Sequence, residues 1–167
     1  MAIRLRGYDP ADLAAIHSIN EAACPAVGTA TFDELGHIAR ESLIAVVADE
    51  PDTATIAGFC LVLAPGADYG SMNYMWFSER YENFVYLDRI AIGPAFQRAG
   101  LGQQMYAEVE RLVEVRCPEA THFTLEVNLR PRNEQSLAFH ARLGFAEVDQ
   151  RDTDYGTLVS LMAKPLR

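Results

Sequence analysis

At 167 residues, half of them hydrophobic and 22% charged, the chain has globular composition and enough length to bury a sizeable core. Its net charge of −9 argues against a nucleic-acid partner, which requires a basic face, and no apolar run approaches the ~20 residues that span a bilayer. Cys24, Cys60 and Cys117 are odd in number and lie too far apart for a metal-ligand set, so reduced thiols, no metal and a cytoplasmic location are expected, in keeping with a start (Met1 to Arg6) that lacks the apolar core of a signal peptide.

Residues 2–7 alternate as a first strand, with Ile3 and Leu5 on one face. Asp9-Pro10 then supplies an N-cap and a proline for the first helical turn, opening a helix striped by Leu13, Ile16 and Ile19 and ended by Pro25. Thr31 with Glu34 spells a capping box for a short second helix carrying Leu35 and Ile38. Residues 43–47 and 56–63 read as strands joined by a polar turn around Asp49-Glu50-Pro51-Asp52. Residues 64–83 form a longer connection rich in aromatics, where the spacing of Tyr74, Phe77 and Tyr81 suits a helical turn or two. A strand follows at 84–92, then a helix striped by Leu101, Met105, Val109 and Leu112 or Val113 and closed by Pro118. A strand at 122–128, a fourth helix capped by Asn133 and ended by Gly144, and a hairpin of 146–150 with 158–162 complete the chain. With no repeat and no linker, a single domain over 1–167 is expected.

Between the strand at 84–92 and the helix that follows lies Gln97-Arg98-Ala99-Gly100-Leu101-Gly102. Glycines there let a ligand approach the backbone, and the free N–H groups and dipole of the helix start favour an anion such as a diphosphate. On its own the pattern is weak and reads better as a tight turn into a helix. A second block lies downstream: Leu125-Glu126-Val127-Asn128, then Asn133, Ser136, Phe139, His140 and Leu143-Gly144-Phe145. In this order and spacing the two blocks resemble motifs A and B of the GNAT superfamily of acyl-coenzyme A-dependent N-acetyltransferases. The resemblance implies an α/β (α+β) fold: a mixed, mostly antiparallel sheet of six to seven strands, four helices, and a cofactor cleft between two splayed parallel central strands.

It further implies acetyl-CoA as co-substrate, with the backbone of Ile90, Ala91 and Ile92 pairing with the pantetheine. Gln97, Arg98, Ala99, Gly100, Leu101, Gly102 and Gln103 would cradle the pyrophosphate, while Asn128, Asn133, Ser136, Phe139 and Arg142 complete the cofactor contacts. Two departures stand out. His140 occupies the place of a tyrosine that donates a proton to the departing thiolate, and Leu129-Arg130-Pro131-Arg132 lengthens the step from Glu126 to Asn133.

Attack by an amine with a pKa near 10 needs a base. Glu126 is the first candidate, because it sits mid-strand where an apolar residue is usual, on the face shared by Thr124 and Asn128. A solvated sheet-face glutamate would look the same. Asp88, on the face of Tyr86, is the second candidate, and beside Arg89 it equally suits an ion pair. His140 reads either as the proton donor or as a helix histidine satisfied by a neighbour. Trp76, Tyr74 and Tyr86 are expected at the acceptor, a small-molecule or peptide amine. Residues 1–97 carry 13 acids against 5 arginines, which favours a cationic one. Arginines Arg98, Arg130, Arg132 and Arg142 are available to phosphates. No nucleic acid and no membrane are expected, and self-association into a homodimer stays open. The competing reading is a non-catalytic acyl-CoA sensor of the same fold.

Overall fold

A computed structural model describes residues 2–166. In chain order the strands are β1 (Arg4–Gly7), β2 (Ile44–Glu50), β3 (Thr55–Leu63), β4 (Phe84–Ile92), β5 (His122–Arg130), β6 (Ala146–Asp152) and β7 (Leu158–Pro165). The helices are α1 (Leu13–Ala23), α2 (Phe32–Glu41), α3 (Met72–Ser78), α4 (Leu101–Arg116) and α5 (Glu134–Arg142), with short 3₁₀ turns at Pro10–Asp12 and Pro94–Phe96. Strand pairing runs in the order β1-β2-β3-β4-β5-β7-β6. The residues divide into two compact units: one takes in the chain up to Leu63 and Leu87–Pro118, the other Ala64–Tyr86 and the chain from Glu119 onward.

In the first unit β1, β2 and β3 pair antiparallel, with α1 and α2 against β3 and α4 against β2. That arrangement accounts for the nearly continuous burial of β2 and β3, which read as unbroken runs without charged residues over residues 44–48 and 56–63 instead of alternating. Both anticipated helix starts are present. Asp9 and Asp12 form a reciprocal capping box ahead of α1, and Thr31 and Glu34 do the same for α2. The turn between β2 and β3 lies later than the polar run suggests, over residues 51–54, because Asp49 and Glu50 stay in the strand. Their burial is compensated. Asp49 Oδ2 accepts from Arg4 at 2.7 Å and from Arg6 at 3.1 Å, and Glu50 Oε2 accepts from the Thr53 amide at 2.8 Å and from its hydroxyl. Arg6 also grips Asp12 through two bonds of 2.9 Å, which holds the Asp12 carboxyl below the usual carboxylate range.

In the second unit the first three residues of β4 pair in parallel with β5, Phe84 to Tyr86 against His122 to Thr124, and β5, β7 and β6 continue antiparallel. Six residues of β5 run on past the end of that ladder. The outer strand β6 is exposed along most of its length and carries Glu147, Asp149 and Asp152, charges that discourage edge-to-edge pairing. There are five α-helices among the described residues where four are expected, since the aromatic connection contains α3 as a full helix. Ser71 Oγ caps it by accepting from Tyr74 N, and Tyr74 and Phe77 turn inward. Residue 81 lies beyond its end, so Tyr81 is not on the helix. No helix among the described residues is long and apolar enough to cross a membrane.

Candidate active site

In the first unit, the segment leading into α4 is built from backbone. Gly93 N donates to Ala57 O at 2.7 Å, Phe96 N donates to Gly93 O at 2.9 Å, and Gln97 Nε2 reaches Ile92 O at 3.2 Å. Arg98 and Gly100 then both adopt left-handed backbone, with φ of 66° and 76°. Glycine adopts this conformation freely, and at Arg98 a non-glycine residue tolerates it. No side chain caps α4, whose first helical bond runs from Gln104 N to Gly100 O at 3.2 Å. The amides of Leu101, Gly102 and Gln103 therefore have no acceptor within their own helix, and they lie at the positive end of its dipole. Arg98 and Ala99 are exposed beside them, while Ala91 is buried and Ile90 and Ile92 are partly so. Gly58 of β3 is required opposite Ala91 and Ile92, because an added Cβ would stand 2.9 Å from Ala91 O and from Ile92 Cδ1.

In the second unit Glu126 lies half-buried on β5, and Tyr86 Oη donates to its Oε2 at 2.6 Å. Tyr86 has no exposed surface, and its ring lies 5.5 Å from that of Tyr74 and 5.9 Å from that of Phe77. Thr124, two residues before Glu126 on the same strand face, is fully buried with Oγ1 donating to Val85 O at 2.9 Å. Strand β5 continues past Glu126 to Arg130, with an irregularity in its pairing between Asn128 and Arg130. Leu129 bridges Arg132, and Asn133 N donates to Asn128 O at 3.0 Å, so the extra length is absorbed before the helix cap. Asn133 caps α5 as anticipated, its Oδ1 accepting from Ser136 N at 3.2 Å.

His140 is buried and sits between Phe139 and Phe145, ring centroids 5.4 and 5.6 Å away. Its Nδ1 lies 2.8 Å from Ser136 O and 3.2 Å from Ser136 Oγ. A carbonyl only accepts, so Nδ1 carries the proton of the neutral ring. Burial pushes the His140 pKa down, against a smaller upward pull from that backbone bond. Burial thus disfavours the imidazolium form of this ring. Arg142, on the following turn, is exposed.

The other site residues suggested by the sequence fall in several places. Asp88, in the first unit, binds Arg89 Nε at 2.7 Å with its side chain 4% exposed, and Arg89 goes on to Asn20 Oδ1 and Gly28 O, each at 3.0 Å. That is a structural ion pair. In the second unit Tyr74 is buried, its hydroxyl donating to Ala64 O at 2.6 Å and accepting from Ala67 N at 3.1 Å. Trp76 lies under the Arg80 guanidinium, 3.8 Å from ring centroid to Cζ. Two residues went unnoticed in the sequence. Asn73 Nδ2 donates to Tyr155 Oη at 3.4 Å, and Asn73 Oδ1 is a buried polar atom with no hydrogen-bond partner. The Tyr155 ring is exposed, yet its hydroxyl is pushed up, first by burial and then by the charge of Glu126. An asparagine in a helix of mostly apolar residues and a tyrosine in a hairpin turn carry no motif, so only folding reveals them. Among the described residues no group of three or more His, Cys, Asp or Glu side chains could hold a metal. All three cysteines are free, and burial pushes the Cys60 thiol up to about 12.

The model of the Acetyltransferase (GNAT) family matches residues 13–145 of the sequence. The chain belongs to the GNAT acetyltransferase family. It is an acetyl-CoA-dependent acyltransferase, and the family's match spans both blocks singled out in the sequence. No curated protein matches the chain in sequence. Solved structures share its fold. The ribosomal-protein-S18-alanine N-acetyltransferase from Escherichia coli is 20% identical with a TM-score of 0.73, over 99% of this chain and 94% of that one. NAA60 from Arabidopsis thaliana, solved with a bisubstrate analogue, is 15% identical with a TM-score of 0.78, over 98% of each chain. A third, the acetyltransferase yncA from Salmonella typhimurium with its cofactor acetyl-CoA, is 20% identical with a TM-score of 0.72, over 100% of this chain and 95% of that one.

Proposed function

We propose that this GNAT enzyme transfers the acetyl group of acetyl-CoA directly to a primary amine of a small molecule or peptide, with Glu126 as the base acting through a water. The observation that carries the reading is the Glu126 carboxylate, half-buried on β5 and oriented by the Tyr86 hydroxyl. Asp88 is committed to Arg89, which leaves Glu126 as the carboxylate best suited to receive the proton. The uncapped start of α4, with Arg98 at its side, suits the pyrophosphate, and the backbone of Ile90, Ala91 and Ile92 is assigned to the pantetheine and the thioester carbonyl. Asn128, Asn133, Ser136, Phe139 and Arg142 are assigned to the rest of the cofactor, and Trp76 to the acceptor. With His140 neutral and hydrogen-bonded, the thiolate (pKa about 8.5) takes its proton from water. Neither Cys60 nor Cys24 suits an acetyl carrier, because burial disfavours the thiolate at both. The bisubstrate analogue in the NAA60 structure and the acetyl-CoA in that of yncA support direct attack with both substrates bound. The reading takes residues 1–167 as one catalytic domain of a cytoplasmic protein.

Release of free coenzyme A thiol over a panel of amino acids, polyamines, peptides and simple amines tests this directly. At least one amine should drive release, and Glu126→Gln should lower kcat at neutral pH by roughly 10²–10⁴. The loss should shrink as the pH rises toward the pKa of the amine, which then arrives already deprotonated. A Glu126→Gln enzyme with wild-type kcat from pH 6 to 9, or no release with any amine, overturns the proposal.

A further inference from the structure

We infer that Tyr86 is a positioning residue for Glu126, and that α3 is present to hold it in place. The inference rests on Glu126 being the base. The sequence suggests an acceptor contact for Tyr86, but a side chain with no exposed surface has nothing to offer a substrate. What it offers is a hydroxyl proton directed at Glu126 Oε2, 2.6 Å away and 40 residues distant in sequence. The registry of the parallel ladder makes that contact. Tyr86 pairs with Thr124, the last rung, and Glu126 follows two residues later on the same face. Thr124 Oγ1, bonded to Val85 O, pins the rung itself.

The aromatic connection then explains itself. Tyr74 stands edge-on to Tyr86, and Phe77 packs against it on the same helix. Tyr74 is fixed in turn by its hydroxyl, bonded to Ala64 O and Ala67 N at the start of the connection. The segment from 64 to 78 is therefore a buttress: backbone holds Tyr74, Tyr74 and Phe77 hold the Tyr86 ring, and the Tyr86 hydroxyl holds the base. Tyr86 keeps its own proton throughout. The proton leaving the amine passes through water to Glu126, and the Tyr86 bond favours the carboxylate form that must receive it. Without that donor the carboxylate form would lose stabilisation, and Glu126 would be protonated at higher pH.

The test is the pH profile of kcat/KM, on an amine that the wild-type enzyme acetylates. Tyr86→Phe preserves the ring and removes only the donor. It should fold, bind acetyl-CoA as wild type, lose about tenfold in kcat, and move the acid limb of the profile upward by about one pH unit. Glu126→Asp withdraws the carboxylate from Tyr86, so its acid limb should move too, and Tyr86→Phe added to it should move the limb no further. An acid limb unchanged in Tyr86→Phe, or one shifted further in the double variant, overturns the inference. Should Tyr86→Phe fail to fold, an unmoved limb in Glu126→Asp overturns it alone. Glu126→Gln separates the two claims: if it loses activity as expected while Tyr86→Phe leaves the limb in place, the base stands and only the positioning role falls.

Discussion

His140 shows how one position can carry a motif and yet do different work. The sequence places it where a proton-donating tyrosine is usual, and nothing local distinguishes a donor from a satisfied helix histidine. Burial between Phe139 and Phe145 favours the neutral ring and outweighs the opposing pull of the bond to Ser136 O. The consequence can be measured. The folded-state pKa is lowered, whereas the ring in the unfolded chain titrates near 6.5. Above that pH the ring is neutral in both states and its contribution to stability is fully present. Below it the unfolded chain takes up a proton that the folded one resists, so stability is lost as the pH falls toward the folded pKa. Denaturant unfolding at pH 7.5 and 5.5 should therefore show a smaller acid loss for His140→Leu than for wild type. Equal losses would show that the ring is not held neutral. At the same scale Glu126 was legible, because a charged residue in the middle of a strand interrupts its pattern. Its partner Tyr86 was not, because a bond across 40 residues leaves no local trace.

Helix starts were the most legible elements, since a cap is a local hydrogen-bond pattern that the residue types spell out. Thr31 Oγ1 accepts from Glu34 N at 3.1 Å and Glu34 Oε2 accepts from Thr31 N at 3.0 Å, the reciprocal pair read from the sequence. Thr31→Ala should cost about 1 kcal/mol in denaturant unfolding and leave kcat unchanged, because α2 carries no group assigned to the chemistry. A loss of activity without a loss of stability would contradict this. Elements set by tertiary context read less well. The strand β2 runs through Asp49 and Glu50, two residues that suggest a turn, because Arg4 and Arg6 on β1 and Thr53 on the turn satisfy their carboxylates. Likewise α3 starts and stops earlier than its aromatic spacing suggests, taking in Tyr74 and Phe77, which join a buried ring cluster, and leaving out Tyr81.

Over the whole molecule a net charge of −9 should draw cationic acceptors toward the enzyme. Raising ionic strength from about 0.01 M to about 1 M shortens the screening length from ~30 Å to ~3 Å. It should lower kcat/KM more steeply for a diamine than for a monoamine of similar length, and matched slopes would show that the charge does not steer. The sequence by itself determined the seven strands, the capping of α1, α2 and α5, the glycine-bearing entry to α4 and the family, because each rests on residues close together in the chain: periodicity, caps and short motifs act over a few positions. Only the tertiary structure showed what each candidate carboxylate is bonded to. Glu126 ranks ahead of Asp88 on strand pattern alone, and their neighbours separate them further, Arg89 held by Asn20 and Gly28 for Asp88, Tyr86 packed by Tyr74 and Phe77 for Glu126. Those neighbours are set by strand register and by the packing of inserted rings, long-range terms that no window of sequence contains.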